Sequence, residues 1–276
     1  MFQIVSREDL TATTHLFRVA APDVAKKARA GQFVVVRIDE HGERIPLTIA
    51  DWDKDTVTLV FMEVGTTTKR LASLKAGDSI QDFIGPLGRP TDIQNFGSVL
   101  CVGGGVGVAP IVPIARALRE AGNKVTSIMG ARNKGLLFWE AELRRVSDRL
   151  VVVTDDGSYG RKALVTEPLK EILESEKIDR VIAIGPAIMM RFSAKTSEPF
   201  GVKTIVSLNP IMVDGTGMCG ACRISVGGVT RFTCVDGPDF DGHQVNWDEL
   251  FNRQRIYLDE EKLSLEKWQC QCAGKS

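Results

Sequence analysis

Three cysteines and an aspartate crowd one glycine-rich stretch, Asp214-Gly-Thr-Gly-Met-Cys219-Gly-Ala-Cys222, and Cys234 follows after eleven intervening residues. Thiolates are soft donors that suit iron and zinc. With Asp214 read as a ligand, the spacing D-x4-C-x2-C-x11-C comes close to the C-x4-C-x2-C pattern of plant-type 2Fe-2S clusters, a carboxylate replacing the first thiolate. Gly215, Gly217 and Gly220 remove Cβ atoms where a tight backbone would wrap a cluster and aim N–H groups at its sulfides. The same four side chains could bind structural zinc, and Cys219-x-x-Cys222 alone could be a redox pair. The crowding of glycines favours the cluster.

Other stretches suit anions. Gly103-Gly104-Gly105-Val106-Gly107 follows the apolar run Ser98–Val102 and precedes a helical stretch, Ala109 to Ala121, begun by Pro110 and stopped by Gly122. That order makes a β-loop-α phosphate cradle. It is not the G-x-G-x-x-G fingerprint, because Val108 takes the third glycine's place and Arg132, not an acid, stands after the next strand. An arginine there favours a 2′-phosphate on the ordinary dinucleotide rule, yet one residue decides little between NAD and NADP. Asp155, Asp156 and Gly157, and Gly185, Pro186 and Met189, fall at the ends of later strands, where open parallel sheets bind ligands. They could equally be ordinary turns. Nearer the N-terminus, Arg44-Ile-Pro46-Leu47-Thr48-Ile49 sets a guanidinium able to clamp phosphate beside a backbone and hydroxyl that could meet a flavin edge. Gly65-Thr66-Thr67-Thr68 opens a short helix, Thr67 to Leu74, whose free N–H groups could hold a pyrophosphate. Alone, a solvated arginine and a capped helix would explain both.

The elements that would position these residues change character near residue 95. Before it come short β-rich segments, Gln3–Val5, His15–Val19, Gln32–Ile38, Thr56–Phe61 and Ser79–Ile84, with turns at Gly31, His41-Gly42 and Lys75–Asp78. Such spacing without long helices predicts a small closed antiparallel barrel. After it, strands at Ser98, Lys124, Arg149 and Arg180 alternate with helices at Ala109–Ala121, Leu136–Val146 and Thr166–Ser175. This is the pattern of a doubly wound parallel sheet. The chain thus divides into a barrel (1–95), an α/β nucleotide domain (96–210), a cluster-binding subdomain (211–245) and a C-terminal tail (246–276). From Trp247 to Leu265 the tail mixes charge with apolar residues at partial helical spacing and is expected to pack against a partner.

Composition excludes several classes. Of 276 residues, 43% are hydrophobic and 25% charged, and 35 basic residues balance 35 acidic ones, so no net field draws nucleic acid or an anionic membrane. Charges at Arg7, Glu8 and Asp9 leave no targeting segment at the start, and glycines and prolines break the uncharged run from Ser98 to Ala115. Six cysteines, all but Cys101 clustered late in the chain, fit metal ligation in a reducing cytoplasm better than a disulfide scaffold. Cys101 reads as a small core residue, and His15, His41 and His243, dispersed in sequence, as local structural groups.

Taken in order, Arg44-x-Pro46-Leu47-Thr48, Gly103-Gly-Gly-Val-Gly-Val-Ala-Pro110, Gly185-Pro186 and Asp214…Cys219-x-x-Cys222…Cys234 resemble the ferredoxin-NADP reductase superfamily over nearly the whole chain. Within it the match is to electron-transfer subunits related to that of dihydroorotate dehydrogenase. Those have a cysteine where this chain has Asp214, whereas the electron-bifurcating transhydrogenase branch is similar in combining an aspartate with three cysteines. The resemblance implies FAD in the barrel, NAD(H) on the parallel sheet, one 2Fe-2S cluster and no acid-base residue beyond positioning. It also implies a larger flavin and 4Fe-4S partner subunit that binds NADP(H) and ferredoxin. Two rivals remain at this point: a dihydroorotate dehydrogenase subunit with an altered ligand, and a zinc-stapled nucleotide-binding docking module without redox activity. Cys270-Gln-Cys272 reads as free thiols, with a metal site shared with a partner as the alternative.

Overall fold

The computed structural model describes residues 1–273, with side chains through Cys270, so the Cys272 side chain lies outside the described residues. The N-terminal part holds β1 (Phe2–Asp9), β2 (Thr14–Ala20), α1 (Pro22–Ala25), β3 (Phe33–Arg37), β4 (Ile45–Trp52), β5 (Thr56–Met62), α2 (Thr66–Ala72), β6 (Ser79–Ile80) and β7 (Asp82–Leu87). All pairs are antiparallel, in the order β6-β1-β2-β5-β4-β3-β7. The sheet begins on β6 and ends on β7, and only Gln81 separates them. Its N–H donates to the carbonyls of Arg37 and Ile38. The sheet therefore comes back on itself as a nearly closed barrel. Sequence alone gave five strand segments; β4 is additional, and Ser79–Ile84 divides into two strands.

β3 shows why the barrel sits where it does. Successive side chains of a strand point to opposite faces. Val34 and Val36 enter the barrel core with Phe17, Ile49, Leu59 and Phe61, while Phe33 and Val35 pack outside against Met212, Cys222 and Cys234. Both faces of β3 are covered, so it reads as an unbroken apolar run rather than as alternation.

The second part runs β8 (Ser98–Gly104), α3 (Val108–Glu120), β9 (Lys124–Ala131), α4 (Glu140–Arg145), β10 (Arg149–Thr154), β11 (Arg161–Lys162), α5 (Thr166–Ser175), β12 (Arg180–Ile184), α6 (Ala187–Ser197) and β13 (Thr204–Ser207). The cysteine region adds the hairpin β14 (Arg223–Val226) and β15 (Val229–Phe232), α7 (Thr233–Asp236) and β16 (Asp239–Asp241). The large sheet has the order β11-β10-β9-β8-β12-β13-β16, parallel except for β16. The strand order reverses between β8 and β12, the position at which such sheets open a ligand crevice. The helix expected over Leu136–Val146 begins only at Glu140. Trp139 stands before it at φ 58°, and a left-handed residue cannot continue a right-handed helix.

Barrel and sheet share a core: Leu16, Ala30, Ala50 and Val60 pack with Val99, Cys101, Val108, Ile111 and Ile114. Fully burying a side chain of this size contributes about 1.5–3 kcal/mol, so the two parts are held together by more than surface pairing. Arg116 of α3 adds a forked contact to Asp51 of β4, at 3.0 and 3.2 Å.

The first part of the tail folds onto its own chain: in α8 (Trp247–Gln254) Leu250 is fully buried in the core below β14, and Arg253 donates to the Ala221 carbonyl at 2.8 Å. Asn246 caps the helix by accepting the Glu249 N–H. The last helix, α9 (Leu258–Ala273), lies against α2.

Candidate functional site

Two barrel stretches come together. Arg44 is exposed at the mouth of β4, and Pro46, Leu47 and Thr48 pair with Val35, Val34 and Phe33. The neighbouring Glu43 accepts the Thr67 hydroxyl at 2.5 Å, tying the Arg44 loop to the first turn of α2. In that turn Thr68 accepts the N–H groups of Val64 and Gly65 at 2.9 and 3.1 Å, so it shapes the turn. A Cβ on Gly65 would meet open space. The first turn of a helix leaves its N–H groups without helical acceptors, here those of Thr66 and Thr67. Ile49 departs from expectation: its side chain is buried in the barrel and its N–H donates to the Gln32 carbonyl, so it serves the core.

Of the strand-end candidates, Gly103–Gly107 and Gly185–Met189 meet at the crevice between β8 and β12, while Arg132 and Asp155–Gly157 lie beyond β9 and β10. A Cβ on Gly104 would stand 2.2 Å from the Met189 sulfur, one on Gly107 2.2 Å from the Ile184 carbonyl oxygen, and one on Gly185 2.9 Å from the Gly104 carbonyl oxygen. Gly107 and Gly185 are thus required by close backbone approach at the two strand ends, while Gly104 leaves room for the Met189 side chain. Gly105, at φ 54° with nothing near its missing Cβ, faces open space at the start of α3. Gly103, the penultimate residue of β8, lies beside Val108, and Val106 and Gly107 complete the tight turn. Arg132 is exposed beyond β9, and its carbonyl accepts the Asp156 N–H at 3.2 Å, which joins it to the Asp155-Asp156-Gly157 turn. Asp156 also accepts the Ser158 hydroxyl and N–H, which hold its carboxyl below the usual range. Pro186 precedes α6.

The cysteine loop packs against the outer face of β3. Cys222 and Cys234 are buried and adjacent, the Cys234 N–H lying 3.4 Å from the Cys222 sulfur, while Cys219 is exposed. Burial, then the hydrogen bond with Cys222, pushes the Cys234 thiol up to about 12. Asp214 accepts the N–H groups of Thr216 at 2.8 Å and Cys219 at 2.9 Å, and the Thr216 N–H first, then that of Cys219, lowers its carboxyl below the ordinary range. Gly215, Gly217 and Gly220 all adopt φ between 66 and 87°. Among the described residues no three histidine, cysteine or acidic side chains draw together as the ligands of a single ion. Two soft thiolates on a loop bent by left-handed glycines and a third, Cys234, brought beside it by α7 fit an iron-sulfur cluster.

The remaining candidates for proton chemistry are structural. His15 is buried between Asp9 and Glu63, at 2.6 and 2.8 Å, and His243 contacts the Ala194 carbonyl and Ser197. Complete burial pushes the Cys101 thiol up to about 12, which leaves it inert. Grooves of about 700 and 420 Å³, one including Trp52 and Trp139 and the other Arg180 and Asp239, contain none of the candidate residues. Sequence reading missed Glu43 and Phe33. The doubly apolar run of β3 was the available signal for Phe33.

Residues 209–246 match the iron-sulfur cluster binding domain of dihydroorotate dehydrogenase B, and residues 101–195 match the oxidoreductase NAD-binding domain. The chain is 49% identical, over 99% of its length and 97% of the relative's, to a dihydroorotate dehydrogenase B (NAD(+)) electron transfer subunit homolog of Thermotoga maritima. It is 33% identical to the electron transfer subunit of Desulforamulus reducens, over 85% of this chain and 93% of that one. Among solved structures it is similar to a chain of the NADH-dependent reduced ferredoxin-NADP oxidoreductase described for flavin-based electron bifurcation, with 48% identity, a TM-score of 0.93 and 98% coverage of each chain. A ferredoxin NADP+ reductase of Neisseria gonorrhoeae shares the fold at 19% identity and a TM-score of 0.62, over 72% of this chain and 90% of that one.

Proposed function

The chain belongs to the family of dihydroorotate dehydrogenase B electron-transfer subunits, and on that premise we propose that it passes electrons between NAD(H), FAD and a 2Fe-2S cluster as the small subunit of an electron-bifurcating oxidoreductase. One observation carries the reading. Phe33 pairs with Thr48 along β3 and β4, and its ring packs beside Cys222 and Cys234. Neighbouring strands lie about 4.8 Å apart, so the expected flavin edge and the cysteine loop are a strand's width from each other. When bound, a nicotinamide delivers two electrons as hydride, a cluster takes one at a time, and a flavin can do both.

The chain's own residues supply binding and orientation. Arg44 would clamp a flavin phosphate, Pro46, Leu47 and Thr48 would line the ring, and Gly65, Thr66 and Thr67 would meet the pyrophosphate on the turn that Thr68 shapes. Gly103 to Gly107 would admit the NAD phosphates, with Arg132, Asp155, Asp156 and Gly157 toward the ribose and Gly185, Pro186 and Met189 beside the nicotinamide. Cys219, Cys222 and Cys234 would hold the cluster with Asp214, which besides ligating would keep its loop bent. Similarity to a subunit of a larger assembly implies a larger partner. In this reading the partner carries flavin and 4Fe-4S clusters, binds NADP(H) and ferredoxin, and meets the chain in the cytoplasm. No helix of the described residues is long and apolar enough to cross a membrane.

Purified without oxygen, the chain is expected to show flavin and cluster absorbance with roughly two iron and two sulfide per chain. It should reduce artificial acceptors from NADH. A colourless protein holding zinc, or ferredoxin reduction from NADPH by the chain alone, would overturn the assignment.

A further inference from the structure

Three threonine hydroxyls line the first turn of α2, and two are committed to the chain itself. Thr67 donates to Glu43, and Thr68 donates to the Gly65 carbonyl at 3.1 Å. The third, Thr66, accepts a hydrogen bond at 3.0 Å from Ser264 of α9, a residue 198 positions away. An accepting hydroxyl keeps its own proton to give, and among the described residues the Thr66 proton has no acceptor. A β-branched side chain has few rotamers, so the Ser264 contact also fixes which way that proton can point.

The geometry points to Ser264 as a positioning residue for the flavin: α9 is a clasp that orients the Thr66 hydroxyl toward the pyrophosphate of FAD. This rests on the placing of that pyrophosphate at Gly65–Thr68. Along α9, Leu258 and Leu263 stay 52% and 50% exposed, while Ser264, Leu265 and Trp268 are half-buried and mark the docked face. The Ser264–Thr66 hydrogen bond forms only when that face is docked, so by linkage a ligand that uses the oriented hydroxyl must also favour the docked helix.

The test uses the full chain stripped of flavin and titrated with FAD and with riboflavin, which has no phosphates, by flavin fluorescence. Ser264→Ala is expected to weaken FAD about fivefold, the usual effect of one hydrogen bond, and to leave riboflavin unchanged. Ser264→Thr should restore FAD binding. Thr66→Ala should give a similar loss, with the double variant no weaker than Thr66→Ala alone, and FAD should slow amide exchange in α9 of the unaltered chain. Unchanged FAD affinity in Ser264→Ala, or equal loss of FAD and riboflavin, overturns the clasp while leaving the flavin site intact. A chain that takes up no flavin overturns the site beneath it.

Discussion

Two glycine-rich loops serve this chain, and their glycines are there for different reasons. In the nucleotide turn Gly107 and the facing Gly185 are needed because two strand ends close to within a Cβ's width, whereas Gly215, Gly217 and Gly220 of the cysteine loop are needed because the backbone turns left-handed. The first loop is set by the core beneath it. The second is set by its own hydrogen bonds to Asp214 and by the outer face of β3. Identical residues in sequence therefore imply one rigid site that belongs to the fold and one local site laid upon it.

Substitution should separate the two. In Gly107→Ala the new Cβ falls 2.2 Å from a backbone oxygen that cannot turn aside. A loss of about 3 kcal/mol is expected, read as a lowered midpoint in chemical denaturation with flavin, nucleotide and cluster all affected. Gly220→Ala meets its nearest neighbour at 3.6 Å and so bears only the left-handed strain, at φ 66°. A cost of about 1–2 kcal/mol is expected, confined to cluster content and visible absorbance, with NADH oxidation through the flavin preserved. Equal global destabilisation by the two would erase the distinction.

The cysteine region also carries a titrating joint that the nucleotide turn lacks. Asp239 on β16 places its carboxyl out of water; Oδ2 accepts the Thr91 hydroxyl at 2.6 Å, and Oδ1 has no partner. Burial first, only partly offset by Thr91, raises this carboxyl from 3.8 to about 6. A raised folded-state value means that the contribution to stability is fully present below about pH 4 and is lost as pH rises through about 6. Asp239→Asn should abolish that slope and stabilise the chain by about 2 kcal/mol above pH 7, measured as a melting midpoint across pH. Parallel pH profiles for the variant and the unaltered chain would place the slope elsewhere.

Sequence made the architecture legible because period and punctuation agreed: strand-length apolar runs before residue 95, strand-helix alternation after it. It located the strand-end glycines and the cysteine loop but not what each glycine does, since Gly104 and Gly107 take their role from Met189 and Ile184, some eighty residues on. β4 was hidden because Pro46 interrupts its apolar run, and β16 because three residues give no period. Trp139 ended an apparent helix through a backbone angle that no propensity for tryptophan suggests. The link from Ser264 to Thr66 joins residues with no pattern between them. Such contacts are written in the packed molecule, not in local sequence.

Gly105 offers the smallest and sharpest test, because it belongs to the rigid turn yet behaves like the other loop. It has a left-handed φ of 54° and no atom near its absent Cβ, so Gly105→Ala should cost about 1 kcal/mol in stability or less, with cluster and flavin content unchanged. The added methyl would stand in the crevice at the start of α3, where backbone N–H groups are to be approached by phosphate. A several-fold rise in KM for NADH with little change in kcat is therefore expected in diaphorase assays, because a bulkier turn weakens ground-state and transition-state binding alike. If KM stays fixed while only the melting midpoint moves, the turn is a packing device throughout, and the phosphates of the nucleotide must be held by the strand ends that carry Arg132 and Asp156.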